Sequence, residues 1–187
     1  SLVILPFAIK QFISQWQSVR TAWHYLFWAS LTGVAFFNTF VYIGAHYTSA
    51  INLALIGTTS SPIMSVAFAR IFLKEKIGTL KMAGMILCAI GVLFLLSKGS
   101  FQNLLHLHFG KGDLWVLLAA FSFAVYNTLV KKKPAAISPV NFLFTSFSFG
   151  TIMMLPFFLY ELNNSAPVEW TGNVIFSVLY LGIIASV

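Results

Sequence analysis

Chemistry needs acids, bases, nucleophiles or metal ligands that can meet, and this chain offers few of them. Its carboxylates are Glu75, Asp113, Glu161 and Glu169, all at or beyond the ends of apolar runs. No serine, histidine and acid share a common depth, and no glycine loop is shaped to cradle phosphate, so an enzyme is not expected. His106 and His108 alternate in a linking stretch, but two imidazoles without a cysteine or a second cluster fall short of a metal site. Cys88 is the single cysteine, so no intrachain disulfide can form. Neither a metal nor a cofactor follows from this inventory.

Binding groups are better represented, and they lie inside the apolar runs. Gly57-Thr58-Thr59-Ser60-Ser61-Pro62 falls at the middle of one run. Pro62 has no N–H for the carbonyl of Thr58, which therefore needs another partner. Irregular backbone at such depth is tolerated against protein or a wet cavity, and carriers use broken helices as substrate sites. The alternative is a packing kink whose small residues let a neighbouring helix approach. Leu31, Ala35, Asn38 and Tyr42 fall on one stripe at helical spacing, and Asn38 must face either another helix or a polar cavity. Trp115, Ala119, Ser122 and Tyr126 form a similar stripe with Asn127 beside it. Aromatic walls suit amphipathic or cationic ligands, although Trp115, near a run's end, reads as an interface anchor. The candidate substrate-binding residues are thus Asn38, Tyr42, Thr58, Thr59, Pro62, Ser122, Tyr126 and Asn127. A carrier is expected to enclose a cavity at Asn38, Tyr42 and Thr59, whereas a scaffold would pack those positions tightly. No Asp, Glu or His stands at mid-depth, His46 being at a run's end. Proton coupling, which needs a loadable group in the membrane, is therefore not visible, and the midplane offers no counter-charge for a strongly charged solute.

The elements that must position these groups are apolar runs: 1–9, 25–45, 48–72, 79–96, 114–130, 140–160 and 173–187. All Lys and Arg except Lys98 and Lys111 fall in every second gap between them. The rich gaps hold Lys10 and Arg20; Arg70, Lys74, Lys76 and Lys81; and Lys131, Lys132 and Lys133. Basic loops stay cytoplasmic, so these gaps are assigned to the cytoplasm and the poor ones to the far side. Glu75 among its lysines reads as a loop salt bridge or a helix start, and Lys131 to Lys133 as headgroup contacts. Gly84, Cys88 and Gly91 form a small-residue stripe, read as a close helix contact. Composition agrees: charged residues are 8% of the chain against roughly 25% in soluble domains, and mean hydropathy is +0.88. The formal charge of +7 is spread over loops instead of gathered on one solvated face, which excludes a nucleic-acid partner.

Residues 1–7 align with 151–157 through a shared Leu-Pro-Phe, Leu5-Pro6-Phe7 and Leu155-Pro156-Phe157. The first copy is followed by Lys10 and Arg20, the second by Glu161 and Glu169, so the copies exit on opposite sides. An odd number of crossings between them makes the second inverted, as in many carriers. The offset leads us to expect one helix and most of another before Ser1 and two after Val187, giving roughly ten spans in about 285 residues.

Tyr47-Thr48-Ser49-Ala50, Pro62, Phe72-Leu73-Lys74-Glu75-Lys76-Ile77, Gly84 and Gly91-Val92 together resemble the first EamA-like repeat of the drug/metabolite transporter superfamily. The second repeat is similar in Gly112-Asp113-Leu114, Trp115 to Tyr126, Ile137-Ser138-Pro139 and Leu181 to Val187. The departure is Lys74, where the family usually has Gly before the Glu, which leaves that turn's geometry open. The resemblance implies an all-α polytopic membrane protein of two inverted five-helix repeats, with about seven helices represented here. The repeats would occupy 1–97 and 113–187, joined by an extracytoplasmic linker at 98–112. It further implies a multi-pass carrier in a bacterial inner (plasma) membrane. Such a carrier would move small organic metabolites by alternating access, amino acids or related solutes leading and efflux the leading direction. An amphipathic-drug exporter and a non-transporting helical scaffold are the alternatives. The expected partners are a small-molecule substrate and the lipid bilayer, and oligomeric state is left open.

Overall fold

The computed structural model describes residues 5–97, 110–164, 170–180 and 182. The linker histidines His106 and His108, Glu169, and residues 181 and 183–187 of the second-repeat motif lie outside them. Among the described residues all regular structure is helical, as the composition requires: in hydrocarbon a backbone must satisfy its own polar groups.

The chain divides into two compact units, Ser1–Leu31 with Lys133–Val187, and Thr32–Lys132. Each draws on both expected repeats. In the first unit α1 (Leu5–Ser14), α2 (Trp16–Thr21) and α3 (Trp23–Ser30) run in sequence, so the gap holding Lys10 and Arg20 is itself helical. Helices α1 and α3 pack with α8 (Pro139–Asn164), and α9 (Gly172–Leu179) follows in the same unit. Phe142 and Leu26 are fully buried, and the Phe12 and Phe144 rings meet edge to face at 5.7 Å. Ser138-Pro139 starts α8: the Ser138 hydroxyl accepts from Asn141 N at 3.2 Å as an N-cap should, and Pro139 takes the first helical position, where its missing N–H costs nothing. A polar clasp surrounds this start. Gln15 Oε1 accepts from Ser138 N at 2.9 Å and from Asn141 Nδ2 at 3.0 Å, while Ser138 Oγ donates to Gln11 Oε1 at 2.6 Å. Asn141 is wholly buried, and these bonds are what allow it to be.

The helix that begins with α3 continues as a π-helical segment, Leu31–Phe36, and then α4 (Phe37–Tyr47). The second unit then contains α5 (Ala50–Phe72), α6 (Thr79–Leu96) and α7 (Lys111–Lys131). Trp23–Tyr47, Ala50–Phe72, Lys111–Lys131 and Pro139–Asn164 are each long and apolar enough to cross a bilayer. Small residues let α7 lie against α4 and α5: Ala119, Ala120 and Ala124 are almost completely buried, as close membrane-helix packing favours.

Helix α7 is tied to α5 at both ends. At one, Thr48 Oγ1 donates to Asp113 Oδ1 at 2.7 Å while Asp113 Oδ2 accepts from Gly110 N at 3.0 Å. At the other, Lys131 Nζ donates to both Glu75 oxygens at 2.8 and 2.7 Å. The two helices are therefore parallel, and the basic gap 70–81 shares one end of this unit with Lys131. Lys131 pairs with Glu75, and Lys133 Nζ donates to the carbonyls of Ile137 and, at 3.4 Å, Pro134. Protein oxygens thus occupy two of the lysines expected at headgroups, because the turns bring those acceptors within reach. Lys74 has φ of 54°, the left-handed conformation that suits glycine. A non-glycine residue there costs about 1–2 kcal/mol. The turn is closed regardless: Glu75 N donates to Ala69 O at 3.3 Å and Arg70 Nη1 to Glu75 O at 3.2 Å. The small-residue stripe of α6 makes no close contact among the described residues. A Cβ added at Gly84 or Gly91 meets nothing within 4 Å, and Cys88 is exposed.

Candidate functional site

The second unit holds the candidate site, built by α4, α5 and α7 around Pro62. Pro62 sits inside α5 without ending it. Upstream, Thr58 Oγ1 donates to Ala54 O at 2.6 Å and Thr59 Oγ1 to Leu55 O at 2.8 Å; such back-bonding bends a helix. Pro62, Thr58 and Gly57 face a cavity of about 440 Å³, with Phe37 and Val41 of α4 and Val116 of α7 across from them. The Phe37 and Phe123 rings form one wall, 5.0 Å apart and tilted by 40°. A second cavity of about 420 Å³ adjoins the first, sharing Ser61, Pro62 and Phe123. It is lined by Ser65, Lys81, Asn127, Thr128 and Lys131, and Asn127 Nδ2 donates to Ser65 Oγ at 2.9 Å across α7 and α5.

The π segment shapes the opposite wall. Two of its carbonyls accept from side chains: Ser122 Oγ donates to Thr32 O, and Asn38 Nδ2 to Val34 O, both at 2.7 Å. The Tyr126 ring lies directly over Gly33, where any Cβ would overlap it. Because the π turns interrupt the α-helical period, the spacing that groups Leu31 and Ala35 with Asn38 and Tyr42 does not hold along this stretch.

Among the expected site residues, Thr58 and Pro62 line the first cavity, and Pro62 and Asn127 the second. Asn38 and Ser122 hold the π segment. Thr59 is 8% exposed, its hydroxyl turned back to its own helix. Tyr126 packs on Gly33, and Tyr42, 53% exposed, meets His46 edge to face at 4.8 Å. Neither lining includes Asn38, Tyr42 or Thr59 among the described residues. Three lining residues carried no signal in the sequence: Phe37 and Phe123 are lost among 20 phenylalanines, and Lys81 reads as an ordinary loop charge. Among the described residues no cluster of His, Cys, Asp or Glu could hold a metal ion.

Spanning helices of this length, one of them carrying an internal proline with cavities beside it, define a polytopic α-helical membrane protein. The EamA-like transporter family model matches residues 1–97 and 110–187, and the chain belongs to that family. It is similar to the uncharacterized transporter YojE of Bacillus subtilis, at 30% identity over 91% of this chain and 53% of that protein. The uncharacterized transporter YdfC of the same organism is 30% identical over 87% of this chain and 51% of its own length. An uncharacterized transporter of Archaeoglobus fulgidus is 27% identical over 88% and 55%. The chain spans about half the length of these curated relatives. No solved structure matches it significantly.

Proposed function

We propose that this chain is part of a membrane carrier, not an enzyme, that moves small organic metabolites by alternating access. Amino acids or related solutes lead as substrates and efflux as the direction, in a bacterial inner membrane, with inverted repeats at 1–97 and 113–187. The observation that carries the reading is the cavity at Pro62: Thr58, Ser61 and Pro62 face open space within a membrane-spanning helix. A scaffold has no use for such a void, since unfilled volume forfeits packing, whereas a carrier needs one. A bend at Pro62, where the i→i−4 bond is missing, would let α5 reshape that cavity during the cycle.

The test is solute flux through purified full-length protein in liposomes, wild type against Pro62→Ala. Alanine restores the donor for the Thr58 carbonyl and removes the ring clash, so α5 straightens without loss of fold. Normal insertion with slowed flux is expected. Wild-type flux in the variant removes the role given to the bend. Absence of flux through folded wild-type protein, across a panel of amino acids and related metabolites, removes the carrier reading.

A further inference from the structure

The two cavities meet at Ser61, Pro62 and Phe123 but differ in chemistry. The one beside Thr58 is walled by carbon: Phe37, Val41, Leu53, Val116 and Phe123. The one beside Ser65 carries hydroxyls, an amide and two ammonium groups, Lys81 and Lys131, with no carboxylate in its described lining. Glu75 neutralises Lys131 through their 2.7 Å ion pair, and the described residues hold no such pair for Lys81. Lys81 also sits in the first turn of α6, the positive end of the helix dipole, where a cation opposes helix stability. Lys81 is exposed, and an uncompensated cation at the mouth of a partly apolar cavity attracts anions and repels cations. A lysine's long flexible stem lets its ammonium follow a carboxylate. The Ser65 hydroxyl, already accepting from Asn127, keeps its own proton to donate. Thr58 and Ser65 stand two helical turns apart, about 10 Å, so a ligand reaching from one cavity to the other has an apolar end and an anionic end roughly that far apart.

We infer that the cavity pair takes a small carboxylate with an apolar body. The carboxylate sits at Lys81, with the Ser61 and Ser65 hydroxyls as donors, and the body lies between Phe37 and Phe123. This rests on the carrier reading of the same cavities and narrows it: the lining reads a negative charge and offers nothing acidic to read an amine. The counter-charge comes from the end of the cavity pair and not from the midplane.

The test is equilibrium binding of three probes with one body, 3-phenylpropanoate, 3-phenylpropanamide and 3-phenylpropylammonium, to purified full-length protein. The carboxylate is expected to bind about two- to fivefold tighter than the amide, the range of a solvent-exposed ion pair, and the ammonium weakest. Lys81→Gln brings the carboxylate down to the amide's affinity, and Lys81→Arg restores the preference. Equal binding of carboxylate and ammonium to wild type, or a carboxylate preference that survives Lys81→Gln, overturns the inference. Phe123→Ala keeps the two readings apart. Loss of affinity for all three probes in that variant places them in the cavity whatever the charge preference, whereas unchanged affinity for all three refutes the cavity as the site.

Discussion

Gly112→Ala should be among the most damaging single-methyl additions in this protein. A Cβ at that position stands 2.6 Å from the Tyr47 carbonyl carbon, 2.7 Å from Thr48 N and 2.8 Å from Thr48 Cβ. Ordinary carbon contacts are about 3.5–4.0 Å, and the obstructing atoms are mainly backbone, so α7 must retreat from the end of α4 by about 1 Å. The retreat acts on the bond from Thr48 Oγ1 to Asp113 Oδ1, now 2.7 Å, and carries it past hydrogen-bond range. Overpacking costs about 1–3 kcal/mol, and a lost bond to a carboxylate about 1.5–3 kcal/mol; a loss of about 3–4 kcal/mol is expected. Reversible unfolding of full-length protein in mixed micelles measures it. Thr48→Val, which removes the bond alone, should cost about 2 kcal/mol. Gly84→Ala, where the new methyl meets nothing within 4 Å, should stay within about 0.5 kcal/mol of wild type. Since Gly112→Ala already breaks the bond, adding Thr48→Val to it should cost little more. A Gly112→Ala protein as stable as wild type, or full additivity of the pair, would refute the reasoning.

Ser122→Ala leaves the Thr32 carbonyl without its cross-helix donor and should destabilise by about 1–3 kcal/mol in the same unfolding assay; a neutral result would mean that the π segment stands without Ser122. After replacement of the exposed Cys88, Lys132→Cys should be shielded from an impermeant thiol reagent in intact cells, and Asn163→Cys should react. Labelling of Lys132→Cys from outside would invert the charge-based topology.

Much of the fold was legible residue by residue. The run expected at 79–96 coincides with α6, and those at 48–72 and 140–160 fall within two to four residues of α5 and α8. Hydropathy is a property of each side chain and sums locally, so spans emerge without knowledge of neighbours. The proline in α5 was visible for the same reason: the missing N–H belongs to the residue itself. The salt-bridge reading of Glu75 also held, although its partner is Lys131 and not a lysine of its own loop. The gap at Lys10 and Arg20 was not legible as helix. What secures it is the clasp of Gln11 and Gln15 on the start of α8, a partnership between residues far apart in the chain.

That this chain is helical, spans a membrane and belongs with EamA-like transporters could be read along the chain alone, because charge-poor runs, their spacing and the order of short motifs are one-dimensional quantities. Which polar groups face space and which face protein was settled by the packing of the helices. Asn38 and Ser122 proved to be partners of carbonyls in the π segment, an irregularity that no hydropathy pattern records. Gly112 became critical, and Gly84 did not, through what lies across from each. Lys81 changed from a loop charge to a cavity wall because the first turn of α6 borders a cavity that α5 and α7 also line. In each case the deciding interaction joins atoms that the fold brings together, and its sign depends on a neighbour that the local sequence does not contain.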